Sequence, residues 1–261
     1  MRRAGGLPNV AGANALTFGN ETIVSYKRLK CKFDDFPRHG MSTDTTRTAI
    51  LRAAERLYAE RGFGDVTLRD IVAAAEVNLA AVNYHFGSKD ELITELFVTR
   101  SIATNRERLN ELKAVEAAGG GRAPVDDVLR ALVGPTMRGC LGPDSQRSDA
   151  ARFMIRASIE AIPAIRKIKT REIDHLRKFA AALRRSLPGT ADVEIYWGLH
   201  FALAMAHQTV RDSERLLRLS DGACDLNDVD GAIARVVNVA ALALTAPKPS
   251  AAAKAPARRE R

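Results

Sequence analysis

The residues best suited to chemistry lie in one segment, 67–97, which reads TLRDIVAAAEVNLAAVNYHFGSKDELITELF. Lys89 stands at the start of a predicted helix, where backbone N–H groups and an ammonium together suit a phosphate group. Asn83 can form two hydrogen bonds with adenine, and the methyl groups of Ala80 and Ala81 can contact the methyl group of thymine. These residue types indicate contact with nucleic acid, and they need a helix that can enter a groove.

The spacing of apolar residues and caps predicts that helix. Thr67 can cap a first short helix and form a capping box with Asp70. A turn follows at 76–78, where Asn78 can cap a second helix over 79–86. The residues predicted to point inward from the second helix are Leu79, Val82 and Phe86. Ser88 can then cap a third helix, so the segment has the layout of a helix-turn-helix.

The run from Arg47 to Leu96 resembles the N-terminal domain of the TetR family of transcriptional repressors. The resemblance rests on Ala53, Leu57, Arg61-Gly62-Phe63, Thr67, Ile71, Ala74, Val77, Tyr84-His85-Phe86 and Ser88-Lys89-Asp90-Glu91-Leu92. It implies that Tyr84 and His85 contact phosphates of double-stranded DNA. Glu76 departs from the family, which usually has Gly in this turn, and Asn83 stands where the family varies.

The predicted DNA-binding residues combine the spacing argument with this resemblance. They are Thr67, Asn78, Ala80, Ala81, Asn83, Tyr84, His85 and Lys89. A purely structural interpretation is also open: Tyr84 and His85 can simply pack beside Phe86, Lys89 can be an ordinary solvated lysine, and Thr67 is first of all a cap.

Composition bounds the class of protein. The chain of 261 residues is rich in helix-forming residues, with 46% hydrophobic and 5% aromatic side chains, which predicts an all-α fold with a sizeable core. The net charge is +9, but residues 1–40 and 247–261 each carry +4, leaving +1 for 41–246. Bulk charge is therefore weak evidence for DNA binding.

Other patterns argue against export, metal binding and catalysis. The three cysteines are scattered without a CxxC pair, which favours a reducing compartment over disulfides or zinc. We find no signal peptide and no apolar run long enough for a membrane span, and we expect a soluble, cytoplasmic protein. GxSxG and HExxH motifs are absent, so we predict no cofactor and no enzymatic activity.

Four segments are predicted along the chain. Residues 1–40 are expected to be a disordered extension, with Met41 as a possible true start, and 247–261 a disordered basic tail. A three-helix DNA-binding domain is predicted over 41–97. A larger helical domain is predicted over 98–246 from patterns punctuated by Pro and Gly, and it adds six helices to make nine. Among them are a helix that ends near Gly134-Pro135, one over 164–187 and one over 192–217.

The family resemblance implies that the larger domain binds a small-molecule effector and dimerises through its last two helices. Residues 151–165, 196–210 and 215–225 resemble the branch that senses fatty acids or acyl-CoA, which implies an apolar effector. The candidate effector-binding residues are Phe153, Met154, Trp197, Phe201 and Met205, each of which can equally be a core residue. His200, His207 and Arg156 could meet a carboxylate, or could be surface or interface groups.

Two broad apolar faces predict where the dimer forms. They comprise Ile195, Leu199, Ala202, Leu203 and Ala206 on one helix, and Ile233, Val236, Val237, Ala240 and Leu244 on the other. Pairing these faces would form a four-helix bundle, which predicts that Ala240→Glu gives a monomer.

The sequence thus predicts a homodimeric repressor on a palindromic operator, released by its effector. Two alternatives stay open. One is a helical ligand-binding protein or enzyme without operator binding, and the other is a regulator that has lost its effector and responds only to a protein partner.

Overall fold

The computed structural model describes residues 43–142 and 148–246, and the predictions for 1–40, Met41 and 247–261 concern residues outside these ranges. The described residues form eleven α-helices and no strand, so the all-α prediction is confirmed. The helices are α1 (Thr43–Arg61), α2 (Leu68–Ala74), α3 (Leu79–Phe86), α4 (Lys89–Ala118), α5 (Val125–Cys140), α6 (Asp149–Ile159), α7 (Pro163–Arg171), α8 (Asp174–Ser186), α9 (Asp192–Arg211), α10 (Ser213–Leu219) and α11 (Val229–Thr245). None of these eleven is long and apolar enough to cross a membrane.

The front of the molecule, residues 43–97, is called the reader below, and residues 98–246 the body. Side-chain caps begin three helices of the reader. Thr67 Oγ1 accepts the N–H of Asp70 at 3.2 Å, and Asp70 Oδ2 accepts the N–H of Thr67 at 2.8 Å. Asn78 Oδ1 accepts the N–H of Ala81 at 2.8 Å, and Ser88 Oγ accepts the N–H of Glu91 at 3.2 Å. The capping box and both other caps predicted from the sequence are present.

Two predicted helices of the body are each divided. The helix predicted over 164–187 breaks after Arg171, because α7 buries Ile165 in one core while α8 buries Phe179 and Leu183 in another. One straight helix cannot serve both. The helix predicted over 192–217 ends at Arg211, and α10 follows as a separate short helix without a buried residue. These two divisions account for the difference from the nine helices expected.

The fifth helix shows the opposite difference. It was predicted to end near Gly134 and Pro135, but it continues to Cys140 with Pro135 inside it. A proline there removes one backbone hydrogen bond. Because α5 is packed against α4, α9 and α11, and its residues 131–135 are buried, tertiary contacts hold the helix through the proline.

Two apolar cores organise these helices. The front core consists of Ile50, Ala54, Leu57, Tyr58, Ala59, Phe63, Val66, Ile71, Val82, Phe86, Leu92, Ile93, Leu96, Phe97, Phe153, Ala157 and Ile165. Its last three members come from the body, so α6 and α7 complete the interior of the reader. The buried residues of the rear core come mostly from α5, α8, α9 and α11.

Polar contacts reinforce the junction between α6 and the end of α1. The Arg156 side chain donates from Nε to the carbonyl of Ala59 at 2.9 Å and from Nη2 to the carbonyl of Glu60 at 3.0 Å. Glu160 Oε2 accepts the N–H of Phe63 at 2.9 Å. Backbone carbonyls at a helix C-terminus carry partial negative charge, so an arginine there stabilises α1 as well as joining it to the body.

Candidate nucleic-acid interface

One face of α3, within the reader's helix-turn-helix, is exposed to solvent. Ala80, Asn83 and Tyr84 are exposed, and their spacing of three and four residues places them on one face of the helix. Tyr84 is 82% exposed. Ala81 is half-buried and packs against the front core. Small side chains beside one projecting tyrosine leave room for the helix to approach a duplex closely.

The two adjacent aromatic residues behave differently. The rings of Tyr84 and His85 meet edge to face, with centroids 5.1 Å apart. His85 is half-buried, and its ring lies 6.2 Å from that of Phe86. Tyr84 therefore projects into solvent and contacts the ring of His85. His85 in turn contacts Phe86 of the front core.

The inner face of α3 differs from the prediction at one residue. Val82 and Phe86 are buried in the front core, but Leu79 is exposed, so its predicted inward direction is wrong. Leu79 lies four residues before Asn83, which puts it on the exposed face. That spacing is the signal by which Leu79 could have been assigned to the interface, where its apolar side chain suits a thymine methyl group.

The turn between α2 and α3 is made without glycine. Glu76 adopts φ 55°, the left-handed conformation, and the N–H of Val77 bonds to the carbonyl of Val72 at 3.0 Å. A side chain in this conformation costs about 1 kcal/mol relative to glycine. The departure at Glu76 is thus accommodated by backbone strain, and the helix-turn-helix geometry is kept.

The remaining predicted contact residues lie at helix starts. Thr67 and Asn78 are exposed while serving as caps. Lys89 is half-buried: its Nζ donates to the carbonyl of Phe63 at 2.8 Å and lies 6.0 Å from the ring of Tyr58. An ammonium has three N–H donors, so a phosphate could still share Lys89, but this lysine also supports the fold.

Charge near the start of α2 is fixed by local bonds. The hydrogen bonds that Asp70 accepts from the hydroxyl and the N–H of Thr67, with a smaller effect of Arg61, hold the pKa of Asp70 below its usual value. Arg61 Nη1 lies 3.8 Å from Asp70 Oδ1. Asp70 therefore stays ionised but turned toward its own cap and Arg61.

The candidate effector residues do not lie together. Phe153 is fully buried in the front core, with its ring 5.4 Å from Phe63, and Met154 packs against the same core. Trp197 and Phe201 are exposed on α9, and Met205 is half-buried against the rear core. Their positions divide them between the junction, the surface and the rear core.

The three polar candidates of the body are also separated. Arg156 donates hydrogen bonds to carbonyls at the end of α1, whereas the sequence grouped it with the histidines as a possible partner of a carboxylate. His200 lies in the exposed aromatic group of α9, with its ring 5.8 Å from Trp197. His207 is an exposed residue of α9, and the positive charges of Arg108 and Lys169 lower the pKa of its imidazole.

Sequence reasoning gave no role to Arg108, which is buried on α4. Its signal was available in the spacing. Arg108 lies four residues before Leu112, so a permanent charge occupies the face of α4 that enters the rear core.

Two short helices joined by a tight turn, of which the second is exposed and fits a DNA groove, together with a helical body are the arrangement of a helix-turn-helix DNA-binding regulator. Residues 50–96 match the family model of bacterial regulatory proteins, tetR family. Residues 130–242 match the model of the tetracyclin repressor-like, C-terminal domain. The chain belongs to the TetR family of transcriptional regulators.

Curated relatives share the front part of the chain. An HTH-type transcriptional repressor of Mycobacterium tuberculosis is 39% identical over 84 residues, which are 32% of this chain and 39% of that protein. The HTH-type transcriptional regulator TtgR of Pseudomonas putida is 43% identical over 51 residues, 20% of this chain and 24% of that protein. The chain thus spans about two fifths or less of the length of these relatives.

Solved structures share the fold over more of the chain. NalD, the secondary repressor of the MexAB-OprM multidrug efflux pump in Pseudomonas aeruginosa, aligns with a TM-score of 0.51 and 21% identity, covering 76% of this chain and 97% of that one. A TetR family transcription regulator from Marinobacter aquaeolei aligns with a TM-score of 0.51 and 18% identity, covering 77% and 95%. At these identities the likeness concerns the fold.

Proposed function

We propose that the protein is a homodimeric repressor that binds a palindromic operator through α3 and is released by a small apolar effector of the fatty-acyl class. The observation that carries the operator contact is the exposed face of α3, where Ala80, Asn83 and Tyr84 stand together. Two such helices in a dimer would read half-sites about 34 Å apart or a multiple of that distance.

An exposed apolar surface on the last two long helices supports dimerisation. We call it the outer face; it comprises Tyr196, Trp197 and Phe201 of α9 with Val239 and Leu242 of α11. The rings of Trp197 and Phe201 stack with centroids 5.3 Å apart. Exposed aromatic and aliphatic side chains of this kind are typical of a protein interface.

The residues that the sequence predicted for the dimer interface lie inside the protomer and not on the outer face. Ile195, Ala202 and Ala240 are fully buried in the rear core, so the prediction that these faces pair across a dimer is wrong. The helices α9 and α11 pack against each other so closely that a methyl group at Gly198 would overlap Leu244. Ala240→Glu would therefore place a charge inside one protomer and unfold it rather than separate two.

The junction offers a route from effector to operator. The helix α6 completes the front core, and its Arg156 is hydrogen-bonded to the end of α1. A shift of α6 relative to the rest of the body would therefore move the reader. In a dimer, a small change in the distance between two readers weakens both half-site contacts together.

Selection from random duplex DNA tests operator binding without knowledge of the target gene. The full-length protein is expected to enrich an inverted repeat in the presence of excess nonspecific DNA. Tyr84→Ala is expected to bind the enriched site about tenfold more weakly, since it removes one phosphate hydrogen bond. Leu219→Ala is the matched control, because Leu219 is as exposed as Tyr84 but lies on α10. Enrichment of no sequence would favour the alternative of a helical ligand-binding protein or enzyme.

Sedimentation tests the dimer. Trp197→Glu places a charge in the centre of the outer face and is expected to give a monomer with unchanged helicity. Leu219→Glu, an equally apolar-to-acidic change on an exposed residue, should leave the dimer intact. A dimer of unchanged affinity in Trp197→Glu would remove α9 from the interface.

A further inference from the structure

Arg108 is a buried cation that forms no salt bridge with an acidic side chain in the part of the chain that the structure describes. Arg108 is only 7% exposed and lies on the face of α4 that packs against the rear core. Nη2 donates to Thr136 Oγ1 at 2.6 Å, and Nη1 donates to Asn105 Oδ1 at 3.1 Å. Nε is buried and has no hydrogen-bond partner within residues 43–142 and 148–246. Two neutral oxygens satisfy part of a guanidinium that has five N–H donors.

Glu107, whose charge reaches Arg108, and Asp174, whose charge reaches His175, each pair with another arginine. The side chain of Glu107 is half exposed and lies 3.6 Å from Arg138 Nη2. Asp174 is well exposed and pairs with Arg177 at 2.8 Å. Burial consequently lowers the pKa of Arg108 to about 10, which still leaves it charged at neutral pH. A desolvated charge without a counter-ion is unfavourable, so such a group calls for an anion from elsewhere.

The charge of Arg108 reaches two histidines on other helices. His175 lies at the start of α8 and His207 near the end of α9. Partial burial, followed by the charge of Arg108, lowers the pKa of His175 to about 4, and the charges of Arg108 and Lys169 lower the pKa of His207, which is an exposed residue. Both imidazoles are therefore neutral at neutral pH, and each retains one N–H donor.

Apolar residues adjoin this group of donors. One helical turn from Arg108, Thr136, His175 and His207 lie Leu112, Leu132, Phe179 and Leu203, respectively, all in or against the rear core. Donors thus stand at the border of an apolar interior, which is the arrangement that fits a ligand with one charged group and an apolar remainder.

We propose that Arg108, whose charge reaches His175 and His207, binds the carboxylate of an organic-acid effector whose apolar part contacts the rear core. The inference rests on the proposed effector-responsive repressor and specifies the charge of its effector. Arg108 keeps N–H donors beyond the two used by Asn105 and Thr136, and a guanidinium can bind a planar carboxylate through two such donors. Lys169 is occupied, since its Nζ lies 3.4 Å from the carbonyl of Ala157 and 5.5 Å from the ring of Phe97. A free acid therefore fits better than an acyl thioester, which lacks the carboxylate.

Calorimetric titration of the full-length protein tests this assignment. The probes are hexanoate, octanoate and decanoate, each compared with the alcohol of the same chain length. At least one acid is expected to bind, and to bind roughly tenfold or more tightly than its alcohol, as a charge-assisted hydrogen bond implies. An acid series that binds no better than the alcohols would overturn the proposal.

Substitutions locate the carboxylate. Arg108→Met is expected to lose the preference for acid over alcohol, while Arg177→Met, which removes an exposed arginine from α8, keeps it. The melting temperature of Arg108→Met is expected to be equal to or higher than that of the native protein, because an unpaired buried charge has been replaced by an apolar chain. If Arg108→Met does not fold, Arg108→Lys serves instead. Lysine keeps the charge but lacks the paired N–H donors of the guanidinium, so it should weaken binding of the acid and leave binding of the alcohol unchanged. Acid preference unchanged in the folded variant would contradict the proposal.

The same proteins separate this inference from the proposed function. Operator binding by Arg108→Met without acid should equal that of the native protein, and only native protein should be released by the acid. If the native protein enriches no DNA sequence, the repressor proposal fails while the titration still reports on Arg108.

Discussion

The reader and the body begin their helices by different means. In the reader, α2, α3 and α4 start at Thr67, Asn78 and Ser88, each of which accepts a backbone hydrogen bond through its side chain. In the body, α5 and α7 through α10 start without a side-chain cap, and only α6 and α11 have one. Helix ends in the reader are thus determined locally, whereas most in the body depend on packing.

This difference suits the two parts to different tasks. A recognition helix must hold its side chains at fixed positions, and caps fix where α3 begins. A helix whose end is set by packing can shift when the packing changes, which the proposed response to an effector would require.

Phe153→Ala is the largest test of this division, because Phe153 belongs to the body but is fully buried in the front core beside Tyr58 and Phe63. Removing the ring is expected to lower the free energy of unfolding by about 3–5 kcal/mol. Urea denaturation measures it, with the half-buried Met154→Ala as a milder control. A loss below about 1 kcal/mol would mean that the reader folds without the body.

Arg156→Met tests the polar part of the same junction. The methionine keeps much of the apolar stem but removes both bonds to the carbonyls of Ala59 and Glu60, so we expect a loss of about 1–3 kcal/mol. The matched control is Arg177→Met, which breaks an exposed ion pair and should change stability by less than about 0.5 kcal/mol. Equal effects of the two changes would show that the junction does not depend on Arg156.

Thr67→Ala tests local determination directly. Loss of the cap of α2 is expected to reduce stability by about 1 kcal/mol, while Thr67→Ser keeps the hydroxyl and should be nearly neutral. The helix ends of the body should tolerate the corresponding change, so Ala191→Gly before α9 is expected to have a smaller effect. Similar losses at Thr67 and Ala191 would remove the distinction.

The smallest expected effect concerns pH. The pKa of Asp70 is lowered in the folded protein, so the stability it contributes is present above about pH 4 and is lost as the pH falls through the folded-state value. Asp70→Asn should therefore lose less stability between pH 7 and pH 3 than the native protein. Denaturation midpoints at the two pH values give the comparison, and identical losses would contradict the assigned bonds.

The accuracy of sequence reasoning follows the same division. Thr67, Asn78 and Ser88 could be identified as caps because each depends on residues within a turn of itself. The break after Arg171 and the passage of α5 through Pro135 could not, because they follow from which core each helix enters. Ala240 shows why interface prediction was wrong: an apolar helical face indicates burial, but not whether one protomer or two provide the cover. Arg108 was missed although its spacing from Leu112 placed it on the buried face of α4, because an arginine is ordinarily exposed and its bond to Thr136 on α5 follows from packing.

Trp197 is the single tryptophan of the chain and is 53% exposed on the outer face. Its fluorescence therefore reports on one surface alone. In a separated protomer the indole would emit as it does in water, and pairing of two outer faces would move the emission to shorter wavelength. Dilution of the unmodified protein would then follow assembly optically, without any added label.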